Sequence, residues 1–190
     1  KDIPYQVKRK VNILDLPLIS NIRLLLQYIQ AEYNRPYSGE HLLFQLLHTD
    51  FLQMNVQDLS KMSAFMMQLD RKQRPYWRDV IRQLAEQEIA LAGDMKALHS
   101  IQQFHDFLQL ALGDYRNFPL PILVERLINR SGLLQYIVQH KDKAWKLQVL
   151  KTFFDFVHQE SARHPKMTIQ QLLQTLENME DNRIRLEVNK

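Results

Sequence analysis

Residues 15–33 read D-L-P-L-I-S-N-I-R-L-L-L-Q-Y-I-Q-A-E-Y, and their pattern decides the fold class. Asp15 is a residue type that caps helices, Pro17 suits a first helical position, and Pro36 follows the end of the stretch. Between them, apolar residues recur at intervals of three and four, which predicts an amphipathic helix. The residues on its apolar face are Ile22, Leu25, Leu26, Ile29 and Tyr33.

The same helical spacing continues through most of the chain. Thr168 with Gln171, and Asn55 with Asp58, have the three-residue spacing of a capping box. A helix opened by Pro75 is expected to continue through Glu88 and Leu91 to Gly93, and Asp94 is expected to cap the next one. Ser131-Gly132 predicts a further break between helices. The sequence therefore predicts an all-α fold of about nine helices.

Only the two ends of the chain have a different periodicity, in which apolar and polar residues alternate as in a strand. A helical mass between two short strands is typical of an insertion that leaves a host sheet and returns to it at neighbouring points. We therefore assign residues 1–10 and 181–190 to short terminal strands, and residues 11–180 to a helical insertion. The alternating apolar residues are Ile3, Tyr5, Val7, Ile184, Leu186 and Val188.

Composition excludes several classes of protein. The 190 residues are 45% hydrophobic and 24% charged, as expected of one folded domain. Cysteine is absent, which excludes disulfides, thiolate zinc sites and a cysteine nucleophile. Apolar runs are too short to span a membrane, and no signal-peptide pattern is visible. We therefore expect a cytoplasmic protein. Because the chain starts without Met, we also expect it to be an excised fragment.

Positive charge is concentrated at the N-terminus and in the middle of the chain, within a net charge of +4. Such clusters can neutralise the phosphates of nucleic acids. Arg78 and Arg82 are four apart and are expected to share a helical face roughly opposite the apolar stripe. The alternative is a solvated surface on which these arginines pair with Asp70, Asp79 and Glu86. The candidate DNA-binding residues are Lys8, Arg9, Lys10, Arg71, Lys72, Arg74, Arg78 and Arg82.

Motifs of catalysis are missing from the sequence. It contains no G-x-x-x-x-G-K-[ST], G-x-S-x-G or H-E-x-x-H, and its seven histidines lack the spacing of a zinc site. The large aromatic residues fall at core positions, which favours packing over base stacking. By this reasoning the chain has no catalytic residue, no metal or cofactor site and no small-molecule ligand, and it acts as a binding module. These aromatic residues are Trp77, Trp145, Phe153 and Phe154.

Five segments, in order, resemble a known family. Residues 3–7, I-P-Y-Q-V, resemble the "GIPY-R-V" strand of the second RecA-like domain in superfamily 1 DNA helicases of the UvrD/Rep/PcrA and RecB/AddA kind. Residues 12–29 resemble the helix that follows this strand. Residues 46–59 resemble the "L-R-S-P-L-F-x-L-S-D-E-D-L" segment of the RecB/AddA branch. Residues 123–136 resemble "L-V-E-x-V-L-x-x-S-G-Y-x-x-x-L", and residues 147–156 resemble "R-L-E-N-L-x-E-F-L".

This resemblance implies the helical subdomain 2B, with residues 1–10 and 181–190 as strands of the second RecA-like domain. The parent protein would be an ATP-dependent DNA helicase of repair or recombination, an ATP hydrolase whose motor domains bind ATP and Mg. Implied partners are DNA, as a duplex or a single/double-strand junction, and the remaining motor domains. Residues 47–56 lack the glycines of the "T-P-x-R-G-I-G" hairpin found in the UvrD/PcrA branch. The alternative function is a non-enzymatic helical protein-interaction module.

Overall fold

The computed structural model describes residues 10–70 and 72–189, and helices make up most of this part of the chain. Short 3-10 turns lie at Ile13–Asp15, Asp50–Leu52 and Ala90–Asp94. The prediction of an all-α fold with about nine helices and short terminal strands is confirmed. None of the described helices combines the length and the apolar character needed to cross a bilayer. The elements are β1 (Lys10–Asn12), α1 (Pro17–Asn34), α2 (Glu40–Leu47), α3 (Val56–Gln68), α4 (Trp77–Ala85), α5 (Leu98–Asp114), α6 (Leu120–Arg130), α7 (Leu133–Gln139), α8 (Lys143–Arg163), α9 (Ile169–Asp181) and β2 (Glu187–Asn189).

Helix α1 is the central element of the core. It packs against α2, α5, α8 and α9, so its apolar face is covered from several sides. Four of the five residues predicted for this face are buried, whereas Tyr33 lies at the margin and stacks on Tyr115, with 3.7 Å between ring centroids. Burying apolar side chains on this scale is the main stabilising contribution to a fold of this kind. The four buried residues are Ile22, Leu25, Leu26 and Ile29.

Some predicted helix caps are confirmed and others are wrong: Asp15, expected to cap α1, lies in the 3-10 turn before that helix, whose N-cap is Leu16. Asn55 caps α3 as expected, since its Oδ1 accepts hydrogen bonds from the amides of Gln57 (3.0 Å) and Asp58 (3.1 Å). Asp58 is buried and accepts instead from the amides of Lys96 (2.9 Å) and Ala97 (2.7 Å), at the start of α5. Asp94, the predicted cap of α5, lies in a 3-10 turn. The capping box of Thr168 and Gln171 at the start of α9 is confirmed.

The two ends of the described chain lie side by side. β1 and β2 are antiparallel, with Val11 opposite Val188 and Asn12 opposite Glu187. Beyond the strands, the amide of Ile13 donates to the carbonyl of Leu186 at 2.8 Å. The expectation that the ends meet is confirmed for the described residues, although β1 extends to Asn12 and β2 begins at Glu187, within the stretch 181–190 assigned to a strand. The strand predicted at residues 3–7 lies outside the described residues.

Candidate nucleic-acid interface

The predicted basic cluster is divided between α4 and the loop before it. Lys72 and Arg74 are exposed in the loop between α3 and α4, and the Nε of Arg74 donates to the carbonyl of Leu69 at 3.4 Å. Arg78 and Arg82 lie on α4. Arg71, Lys8 and Arg9 lie outside the described residues. Lys10 is exposed on β1, where its Nζ lies 2.9 Å from Glu187 Oε2.

Arg82 is held by two carboxylates. Its Nη1 contacts Glu86 Oε2 at 2.7 Å and Glu88 Oε2 at 2.8 Å. The hydrogen bond from the guanidinium lowers the pKa of Glu86, and the hydrogen bonds to both glutamates raise the pKa of Arg82. Glu88 reaches Arg82 because α4 ends at Ala85 and Gln87 adopts a left-handed φ of 56°, which turns the chain back. The prediction that this helix continues through Glu88 and Leu91 is therefore wrong.

Arg78 is partly buried against α1, which corrects the expectation that it projects away from the core beside Arg82. Its Nη1 forms a salt bridge with Glu32 Oε1, and the side chain of Glu32 is fully buried. The same oxygen accepts a hydrogen bond from the amide of Tyr37 at 2.9 Å. The guanidinium also lies 5.7 Å from the centre of the Tyr37 ring. Arg78 thus compensates an internal charge.

Two more carboxylates lie around the start of α4. Glu40 Oε2 accepts from the amide of Trp77 at 2.6 Å, so a side chain from α2 caps α4. Burial raises the pKa of Glu40, and its hydrogen bonds from backbone amides oppose that rise. The hydroxyl of Tyr37 donates to Asp79 Oδ1 at 3.0 Å, and this hydrogen bond raises the pKa of Tyr37. Much of the positive charge read from the sequence is therefore balanced by acidic residues, several of them distant in sequence.

Three aromatic rings lie exposed beside this loop, and we call Tyr37, Phe44 and Tyr76 the aromatic patch. Tyr37 and Tyr76 stack with their ring centroids 4.5 Å apart, and Phe44 lies against Trp77 at 5.5 Å. Tyr76 is 50% exposed and Phe44 is 43% exposed. The sequence reasoning missed this patch because its rings come from three separate segments. Trp77, predicted to be in the core, is partly buried and packs against the core.

A second basic region, also missed, lies where α7 meets α8. His140, Lys141, Lys143 and Lys146 follow one another closely there, with Asp142 as the acidic residue among them. Lys146 Nζ lies 4.8 Å from the centre of the Tyr136 ring, an arrangement favourable for a cation. The spacing of these residues was visible in the sequence, but their position beside a cleft was not. Among the described residues, no group of three or more side chains is arranged to hold a metal ion.

Two comparisons with known proteins were negative for this chain. No protein-family model matches it, and no curated protein matches it significantly. The resemblance to superfamily 1 helicases is therefore limited to the five sequence segments described above.

Proposed function

We propose that this chain is an accessory subdomain of an ATP-dependent DNA helicase, inserted in the second motor domain, where it engages or regulates the duplex. The observation that carries the proposal is the pairing of β1 with β2. A helical mass whose two ends lie side by side can be inserted in a host sheet without disturbing it. ATP and Mg would bind to the motor domains of the parent, and cytoplasmic DNA repair or recombination would be its setting.

The contact between two of the helicase-like segments supports the proposal. The 3-10 turn Asp50–Leu52, in the segment 46–59, packs against α7, which follows Ser131-Gly132 in the segment 123–136. Gly132 has a φ of 86°, and a Cβ built on it would lie 4.0 Å from the carbonyl oxygen of Phe51. A non-glycine residue would be strained in this conformation. The two segments thus form one local unit, in which glycine has a structural role.

DNA contact would fall to Lys72 and Arg74, which are exposed and which no carboxylate holds among the described residues. Each such contact releases counterions from DNA, so the affinity falls as salt is added, with a log–log slope of roughly one unit per phosphate contact. Arg78 and Arg82 serve the fold in this proposal, because both are held by carboxylates.

The test is a titration of the 190-residue chain against forked DNA at two salt concentrations, followed by fluorescence anisotropy. Replacing both loop cations (Lys72→Glu with Arg74→Glu) should weaken binding about tenfold and lower the salt slope by about two. The control carries two reversals with the same change of charge, Lys151→Glu and Lys166→Glu, at exposed positions on α8 and in the loop after it. Equal losses in both variants would remove the loop from the interface. No binding to any DNA would contradict the function.

The protein-interaction module remains as a second function, and the aromatic patch favours it. Exposed tyrosine and phenylalanine rings are enriched where proteins meet partners. The charge around the patch is balanced, which suits a protein partner better than a polyanion. The coding sequence downstream of Lys190 distinguishes the two functions. The helicase resemblance predicts a "T-x-H-x-x-K-G-L-E-F" stretch shortly after it, and the interaction module predicts none.

A further inference from the structure

A cleft of about 580 Å3 lies between the 3-10 turn Asp50–Leu52, α5 and the junction of α6 with α7. Its volume falls in the range of about 300–1,000 Å3 that is usual for sites of small ligands. Phe51, Phe104 and Phe107, all buried, contribute apolar surface to it. The loop cations proposed above, Lys72 and Arg74, do not line this cleft. It is therefore a separate candidate site.

Amide side chains belong to five of the ten residues with polar side chains that line the cleft, and all five are exposed at its surface. In residues 10–70 and 72–189, none of these side chains has a hydrogen-bond partner. Each amide offers two donors and one acceptor without a net charge. Unengaged amides around an aromatic cleft suit a neutral, flat ligand whose edge carries both donors and acceptors. These side chains belong to Gln53, Gln103, Asn129, Gln135 and Gln139.

One side of the opening of the cleft carries basic residues. Tyr136 lines it, with Lys146 Nζ 4.8 Å from the ring centre and the His140 ring at 5.7 Å. Lys141 and Lys143 are exposed in the same turn, and we call Lys141, Lys143 and Lys146 the basic lip. The charge of Arg130, which also lines the cleft, is engaged by Asp114 at 3.0 Å. Cations thus lie on the Tyr136 side of the opening, whereas the charged residues that line the cleft itself are Arg130, paired with Asp114, and the exposed Asp106.

We propose that this cleft takes an unstacked base of single-stranded nucleic acid, while the basic lip binds the neighbouring phosphates. A base combines an aromatic face, which tyrosine can stack on, with an edge of donors and acceptors that amides can bind. Because the amides can rotate and offer both donors and acceptors, the site is tolerant of sequence. An acidic peptide would instead require cations inside the cleft. The inference rests on the proposed function, because it assumes that this subdomain binds DNA and adds that it binds a single strand.

The test compares two ligands of equal charge, a short single-stranded oligonucleotide and an abasic oligonucleotide of the same length. Base insertion predicts that the 190-residue chain binds the base-containing strand about tenfold more tightly, as expected from one stacked base. Equal affinities would overturn the inference but leave DNA binding by the subdomain intact. A failure to bind forked DNA as well would contradict the proposed function itself. Equally tight binding of a poly-glutamate peptide would show that the cleft selects charge and would also overturn the inference.

Matched variants place the effect in the cleft. The double variant Gln103→Ala, Gln135→Ala should lose the preference, so that the base-containing and abasic strands bind with about equal affinity. The control, Gln109→Ala with Gln170→Ala, changes two exposed glutamines that do not line the cleft and should keep the full preference. Lys146→Gln should weaken binding of both strands by the same factor, because it removes a phosphate contact. Thermal melting confirms that each variant is folded, and a cleft variant that is folded and retains the preference would overturn the inference.

Discussion

Replacing Arg78 by methionine tests whether this residue serves the fold. The change leaves the apolar part of the side chain largely in place but removes the cation from Glu32, whose side chain is fully buried. One hydrogen bond, from the amide of Tyr37 at 2.9 Å, would remain to that carboxylate. A buried charge that has lost its partner destabilises a protein strongly, because water no longer solvates it.

The expected loss follows from the burial of the two partners. Removing one member of a buried ion pair costs about 3–5 kcal/mol. Since the Arg78 side chain is 23% exposed, solvent already screens part of the interaction and we expect the lower end, about 3 kcal/mol. The double variant Glu32→Gln, Arg78→Met also removes the negative charge of the buried Glu32 side chain. It should therefore recover most of the loss and lie within about 1 kcal/mol of the parent chain.

Urea unfolding at pH 7, followed by circular dichroism, measures these differences. Arg74→Met is the matched control because Arg74 is exposed in the preceding loop, and its effect should stay within about 0.5 kcal/mol. A loss below about 1 kcal/mol for Arg78→Met would refute the reasoning. So would a double variant no more stable than the single one. The result also bears on DNA binding, since a charge reversal at Arg78 would perturb the fold as well as any interface.

The helices and their order could be predicted from the sequence because their signals are local. Helical spacing in residues 15–33, the capping box at Thr168 and the break at Gly132 each involve residues within one or two turns. Most of this local pattern survives in the structure. Asp58 is an example of a residue whose partners cannot be predicted from its neighbours in sequence. It has the spacing of a capping box with Asn55, yet it binds the amides of Lys96 and Ala97 across the fold.

The candidate site was harder to predict because charge balance is a property of the folded chain. When charges are counted along the sequence, α4 and the loop before it carry a net positive charge. In the structure, Glu32 from α1 and Glu40 from α2 reach the first turn of α4, and a left-handed residue brings Glu88 back to Arg82. No spacing rule indicates these partners. An electrostatic prediction from sequence counts only the charges near in sequence, whereas phosphates respond to the field of the whole surface.

Two further predictions concern the packing beside α4. Gly39→Ala should destabilise the chain by about 1–3 kcal/mol, because the new Cβ would lie 2.9 Å from Cδ2 of the buried Tyr28. Urea unfolding measures this loss, and an unchanged midpoint would contradict the packing described here. Burial raises the pKa of Glu40 in the folded state. The unfolded chain therefore releases this proton first as pH rises, so the contribution of Glu40 to stability is largest below its unfolded pKa and declines through the folded one. Glu40→Gln removes this titration but keeps an acceptor for the amide of Trp77. Its stability relative to the parent chain should therefore rise between about pH 4 and pH 7, and urea unfolding across that range would refute the prediction if the difference stayed constant or fell.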